Sequence, residues 1–228
     1  MPVTIHAAPA SDLTPAEIDR WRTVPVPIAV DLGRDVGQID PAIRPLRPPG
    51  QQPRLFGRAV TVLCEPPDFG AMLHAVDLVQ PGDVLVIAAA GHAETAMIGE
   101  ILGGQLRRRG GRGVVCDGAV RDVGTLAGWD DFSVFTRWIT PRGPSSAERG
   151  AVNLPVVIGG RLVSPGDLLI GDDDGLVALS PATVRARIAD AEARLAREAE
   201  WESNLAAGRS MRETFGLAAA RRQGETGL

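Results

Sequence analysis

The chain has 228 residues, 44% apolar and 23% charged, with a formal net charge of −4. That composition fits one large globular domain, or one domain with an appendage, and excludes a disordered chain. The acidic balance argues against nonspecific nucleic-acid binding, which needs a basic face to displace counterions. No apolar run approaches membrane-spanning length.

In chain order, Thr14-Pro15-Ala16-Glu17 predicts a helix start, with Thr14 as cap, Pro15 in the first turn and Glu17 completing a capping box. That helix should run to about Arg22, because Pro25 and Pro27 cannot continue it. A short helix is expected over 28–32, and the proline-rich stretch 40–53 reads as an extended surface excursion. Residues 57–63 alternate and are β-branched, so they predict a strand. A helix is expected over 69–79, then a turn at Pro81-Gly82-Asp83 and a strand over 84–90 buried on both faces. Ile98, Ile101, Leu102 and Leu106 predict a helix over 96–109.

A buried strand at 114–116 should then turn tightly at Asp117-Gly118 and deliver Arg121 and Asp122 side by side. A short helix ends near 125–128, and strands are expected at 132–135 and 152–158 around a polar loop at 140–150. Gly159-Gly160 predicts a hairpin into 161–163; Pro165-Gly166-Asp167 repeats the earlier turn before strands at 168–170 and 176–179. Strands alternating with helices first and hairpins later suggest a layered α/β sandwich. A long helix over 182–207 carries a thin apolar stripe, suited to a subunit contact or the domain edge. A last helix is expected within 210–222, and the tail 224–228 should fray. The division is therefore an α/β domain over 1–180 and a helical extension over 181–228.

Cys64 and Cys116 lie in apolar runs without CxxC or metal-ligand spacing, and read as small buried hydrophobes in a reducing compartment. Met1 to Ser11 lack a basic region followed by an apolar run, so no secretory signal and a cytoplasmic location are expected. The arginines at 107, 108, 109 and 112 read as a solvated helix terminus, which suits the helix dipole. There is no GxxxxGK[ST] and no GxSxG; Gly99, Gly103 and Gly104 fall inside the predicted helix instead of opening it. His6, His74 and His92 share no motif, although His92 follows a strand end, where ligands gather in α/β sheets.

If the two buried strands are neighbours, the turns after them open on one crevice. Backbone amides around Gly99 would offer an anion site at a helix start. Arg121 could clamp a carboxylate or an enolate oxygen with its planar fork, and Asp122 could supply a hard oxygen to Mg²⁺. That set suits a small 2-oxo acid. The chain contains no lysine, so a Schiff-base aldolase route is excluded.

The run Gly99-Glu-Ile-Leu102, then Asp117-Gly-Ala-Val-Arg121-Asp122, then Phe132–Phe135 and Gly159-Gly160 through Asp172–Gly175 resembles the RraA-like superfamily. Within it, the chain is most similar to class II 4-hydroxy-4-methyl-2-oxoglutarate / 4-carboxy-4-hydroxy-2-oxoadipate aldolases, over about residues 54–181. The resemblance implies an α/β sandwich of the phosphohistidine-domain type with a C-terminal helical extension, assembling as homotrimers or homohexamers. It implies substrate-binding backbone at Gly99, Glu100, Ile101 and Leu102, a substrate-binding and catalytic Arg121, and a catalytic, metal-binding Asp122 holding Mg²⁺ or Mn²⁺. The implied reaction is retro-aldol cleavage releasing pyruvate, with oxaloacetate decarboxylation as a side activity. An acidic residue from a partner's C-terminal helix would complete the site, with Glu198, Glu200 and Glu202 as candidates. The resemblance extends to non-catalytic regulators of ribonuclease E, which lack the metal aspartate. The loop at Gly91-His92 departs from the acidic residue of the aldolases. No nucleic-acid or membrane partner is expected.

Overall fold

The computed structural model describes residues 2–8, 12–33 and 36–220. In chain order the elements are β1 (Thr4–Ile5), α1 (Pro15–Arg20), α2 (Val26–Asp31), β2 (Gly37–Gln38), β3 (Arg44–Pro45), β4 (Leu55–Leu63), α3 (Gly70–Leu78) and β5 (Asp83–Ala88). There follow β6 (Ala96–Ile98), α4 (Glu100–Arg108), β7 (Gly113–Val120), α5 (Val123–Leu126) and β8 (Ser133–Ile139). The chain continues through β9 (Ala151–Val152), β10 (Val156–Ile158), β11 (Arg161–Val163), β12 (Leu168–Asp172), β13 (Gly175–Leu179), α6 (Pro181–Ala206) and α7 (Met211–Phe215).

The centre of the sheet is parallel, in the order β4-β5-β7-β8. Its strands are near-continuous apolar runs because both faces are covered. Along β5, Val84, Val86 and Ala88 enter a core shared with β10, β11 and the β12–β13 hairpin, whereas Leu85 and Ile87 enter the core beneath α3, α4 and α5. The sheet extends antiparallel through β12, β13 and β2 on one side and through β3 on the other. Helices α1, α2 and α6 cover the outer face of β12–β13 around a third core containing Trp21 and Phe56. The result is a mixed α/β fold with a curled sheet.

Five elements differ from the sequence expectation. Residues 96–98 form β6, all three buried and paired in parallel with the end of β7, so the helix opens only after Gly99. The apparent helical stripe mixed Ile98, buried in a strand, with Ile101, which is 72% exposed. The strand predicted at 114–116 runs through Asp117-Gly118 to Val120 with a bulge: Cys116 pairs with Thr136, and Ala119 pairs with Trp138. The stretch 152–158 breaks at Asn153, a left-handed residue with φ 60°. The excursion 40–53 is not wholly superficial: Ile43 is buried and β3 pairs with β8. The last helix is shorter than expected, at Met211–Phe215, and the expectations for residues 221–228 lie outside the described residues.

The long helix α6 buries Val184, Ile188 and Ala191 against its own chain, and the Trp21 indole donates to the Val184 carbonyl at 3.1 Å. Its thin stripe is thus core at the domain edge. Ser180 caps it, its hydroxyl accepting the Thr183 N–H at 3.2 Å. Ser180→Ala should therefore cost about 1 kcal/mol, read as a lowered urea midpoint with an unchanged denaturant slope.

Candidate active site

The strands β6 and β7 end side by side, and the Ile98 carbonyl accepts the Arg121 amide at 3.0 Å. This single bond sets the start of α4 against the residues that leave β7. Asp122 then takes a left-handed conformation (φ 56°, ψ 36°), which aspartate tolerates better than most residues, and its carbonyl accepts the amides of Thr125 and Leu126. The tight turn throws its carboxylate back onto α4, where Oδ2 accepts the Glu100 N–H at 3.0 Å. The Arg121 Nε lies 3.6 Å from the same oxygen. Both side chains are a little over a third exposed, so the pair faces a cleft mouth. Thr125 Oγ1 donates to the Glu100 carboxylate at 2.9 Å and fixes it beside Asp122.

The amides of Ile101 and Leu102 lie in the first turn of α4, where no intrahelical acceptor exists, and they carry the positive end of the helix dipole. Gly99, Glu100, Ile101, Leu102, Arg121 and Asp122 are thus brought together. A cleft of about 200 Å³ opens beside them, walled by Phe69, Leu73, Met97, Ile101, Leu102 and Pro144, with Arg121 as its one charged side chain among the described residues. Asp122 stands at its edge and not in its wall.

Gly99 is extended (φ −150°), so space and not backbone freedom demands glycine there. A Cβ would stand 2.8 Å from Arg121 Cγ and nearer still to Asp122 Oδ2. Gly99→Ala should therefore displace both side chains and lower turnover about tenfold or more. Its thermal midpoint should fall as well, because Arg121 Cγ lies near the root of its side chain and Asp122 Oδ2 must leave the Glu100 N–H; a paired activity and melting measurement checks both effects.

Among the described residues no three His, Cys, Asp or Glu side chains group to hold a metal. A hydrated Mg²⁺ needs less: one or two carboxylates, with waters and substrate oxygens filling an octahedron. Asp122 meets that demand, since Oδ1 has no hydrogen bond among the described residues while Oδ2 is anchored by Glu100. The donor set fits a single-carboxylate cation site.

Other sequence candidates lie elsewhere. His92 is spent on its own turn, its Nε2 accepting the Thr95 N–H at 3.1 Å and lying 2.8 Å from Thr95 Oγ1. His74 is exposed on α3. Asp117 is buried and structural, holding Arg137 Nε at 2.6 Å and the Gly159 N–H at 2.8 Å. Burial pushes the Cys64 thiol up to about 12 and raises that of Cys116, so neither is a nucleophile. Arg107 pairs with Asp131 at 2.5 Å, and Arg109 pairs with Asp77. Glu198 is engaged by Arg194 on the same helix at 2.8 Å, and α6 packs on the β13 side of the sheet, away from α4. A larger cavity of about 480 Å³ lies at the opposite ends of the central strands, lined by Arg22, Phe56, Arg58 and Arg112, and shares no residue with this site. Phe69, Leu73, Gly143 and Pro144 were not singled out from sequence. Only the density of turn-forming residues at 141–146 hinted that the loop had a fixed shape.

Comparison with known proteins identifies the family. The RraA-like family model, described as Aldolase/RraA, matches residues 17–178. A protein of Halalkalibacterium halodurans, provisionally named a 4-hydroxy-4-methyl-2-oxoglutarate aldolase, is 32% identical over 170 residues, covering 73% of this chain and 79% of its own. The structure of Streptomyces coelicolor RraAS2, titled an unusual member of the RNase ES inhibitor RraA family, superposes with a TM-score of 0.73 at 28% identity. It covers 83% of this chain and 97% of that one. An uncharacterized Pseudomonas syringae protein shares the fold, with a TM-score of 0.80 at 22% identity over 90% of this chain and all of that one. By the extent of the family match and by the Halalkalibacterium relative, the chain belongs to the RraA-like family.

Proposed function

We propose that the protein is a divalent-metal-dependent lyase that cleaves a 4-hydroxy-2-oxo mono- or dicarboxylic acid to pyruvate, with oxaloacetate decarboxylation as a side activity. The observation that carries this reading is the Arg121 guanidinium and the Asp122 carboxylate held together against the start of α4. The aldolase name of the Halalkalibacterium relative supports it.

In the reaction a carboxylate-activated water takes the C4 hydroxyl proton, the C3–C4 bond breaks, and C4 leaves as the carbonyl carbon of the second product. The bond's electron pair passes to C3 and is delocalised onto the 2-oxo oxygen, and C3 is then protonated to give pyruvate. With oxaloacetate the same bond breaks with loss of CO₂. A cation at Asp122 would supply Lewis-acid polarisation of the 2-oxo and carboxylate oxygens. Arg121 neutralises the charge that develops on the oxygens of the pyruvate half, and its fork suits two of them at once. The first-turn amides of α4 receive the substrate carboxylate. Phe69, Leu73 and Pro144 exclude water on the other side.

A glutamate from α6 could complete such a site only from a second copy of the chain, because α6 lies away from α4 in its own. A homotrimer or homohexamer with shared sites is therefore part of the proposal, as are Mg²⁺ or Mn²⁺ as cofactor and a cytoplasmic setting. The test is pyruvate release from oxaloacetate and from 4-hydroxy-4-methyl-2-oxoglutarate with Mg²⁺ or Mn²⁺. Release that EDTA stops and added metal restores supports the reading; no metal-dependent release from either substrate refutes it. The 28% identity to RraAS2 favours a second reading, a ribonuclease-binding regulator. Inhibition of a ribonuclease E-type enzyme without pyruvate release would decide for it.

A further inference from the structure

Asp68 is a fully buried carboxylate outside the residues assigned above. It sits in the turn between β4 and α3 and gathers its donors from two places. The Gly70 amide, at the start of α3, donates to Oδ1 at 2.8 Å. From the loop after β8 come the Arg149 amide at 2.9 Å, the Glu148 amide at 2.9 Å to Oδ2, and the Ser146 hydroxyl. Backbone bonds extend the seam: Phe69 donates to Ser146, Ala71 to Arg149, and Ser145 to Pro67. Gly70 lets the two segments touch, since a Cβ there would lie 2.7 Å from the Ala147 carbonyl carbon. Burial opposes ionisation of Asp68, yet the Ser146 hydroxyl and the amides of Glu148, Gly70 and Arg149 hold its carboxyl well below the usual range.

What this latch secures is the near end of the same loop. Ala96, the first residue of β6, donates to the Arg142 carbonyl at 2.8 Å. Gly143 then passes so close to Arg121 that a Cβ would stand 2.6 Å from a terminal guanidinium nitrogen. Pro144 walls the cleft. The guanidinium therefore rests on the Gly143 backbone, which is held on one side by the Ala96–Arg142 bond and on the other by the seam built around the buried Asp68 carboxylate.

We propose that Asp68 is a positioning residue for Arg121, acting through the 140–150 loop, with Gly143 as the seat of the guanidinium. Its catalytic consequence rests on the lyase reading; its structural consequence does not. The loop makes six hydrogen bonds to the 67–71 turn, three of them to Asp68, but offers Arg121 only a glycine surface, so a small retreat of the loop frees the guanidinium. A guanidinium that must be re-ordered in each turnover loses the advantage of preorganisation.

The test compares wild type with Asp68→Asn, Ser146→Ala and Gly143→Ala in three measurements. These are amide hydrogen exchange over 140–150, the NMR signal of the Arg121 Nε–H (assigned by its loss in Arg121→Lys), and kcat and KM for Mg²⁺-dependent oxaloacetate turnover. Asp68→Asn places a donor among donors. It should speed exchange in the loop by more than about tenfold, shift or broaden the Arg121 signal, and lower kcat about thirtyfold with a smaller change in KM. Gly143→Ala should move the same signal while leaving loop exchange near wild type. If Asp68→Asn fails to fold, Ser146→Ala, which removes one donor, should show the same shifts at lower amplitude. Faster loop exchange with an unmoved Arg121 signal in Asp68→Asn and Ser146→Ala overturns the proposal and leaves Asp68 a stability residue. Absence of pyruvate release by wild type, with the Arg121 signal still moved by the variants, sinks the lyase reading and keeps the positioning role.

Discussion

Asp122→Asn is expected to lower Mg²⁺-dependent pyruvate release by about a thousandfold without disturbing the fold. The size follows from the several kcal/mol by which a Lewis acid stabilises developing oxyanion charge, each 1.36 kcal/mol being a factor of ten. The choice of asparagine isolates that effect. Position 122 is left-handed, a conformation asparagine also tolerates, and its amide oxygen can still accept the Glu100 N–H that Oδ2 now receives. What is lost is the negative charge facing the cleft mouth. Thermal unfolding should stay near wild type, whereas calorimetric titration with Mn²⁺ should lose its heat of binding. Alanine would be a poorer probe, because it also removes the Glu100 contact and strains the turn. A wild-type rate for Asp122→Asn would take the metal role away from this residue.

Much of the fold was legible because the relevant sequence signals are local. The capping box at Thr14 and Glu17 forms as read, with the Glu17 carboxylate accepting the Thr14 amide at 2.7 Å. The apolar runs of β4 and β5 and the two Pro-Gly-Asp turns also stand where periodicity and turn chemistry put them. The errors share one cause, which is tertiary pairing overriding a local signal. Ala96-Met97-Ile98 continues a helical stripe in one dimension, but its three side chains are all buried only as a strand beside β7. Asp117-Gly118 has turn composition, yet the bulge it makes inside β7 is stabilised from β8: Thr136 Oγ1 donates to the Gly118 carbonyl at 3.1 Å, and Arg137 neutralises Asp117. Both misreadings concealed the same feature. Gly99 is the cap of α4 and not an interior helical glycine, so the helix opens at the site and not back at Ala96. Asp68, Gly143 and Pro144 left no comparable mark. Their role depends on two loops about 75 residues apart in the chain meeting in space, and a lone aspartate followed by an apolar helix reads as an ordinary turn.

The second large effect is expected at Arg121. Arg121→Ala should reduce kcat more than about a hundredfold, the usual loss on removing one donor aimed at developing negative charge. Arg121→Lys should recover little of it, because an ammonium is a point charge on a flexible stem and cannot offer two parallel N–H groups. The structure makes the guanidinium plane matter: it is bounded by Gly99 on one side, Gly143 on another and the Asp122 carboxylate at 3.6 Å from Nε. A lysine in that slot would keep the charge but meet none of those surfaces in the same way. The split between the kinetic constants decides what the residue does. A loss in kcat shared by kcat/KM places Arg121 on the charge that appears only as the C3–C4 bond breaks. A rise in KM with kcat unchanged would make it an anchor for the ground-state carboxylate, and charge stabilisation would then fall to the Asp122 site and the α4 amides alone.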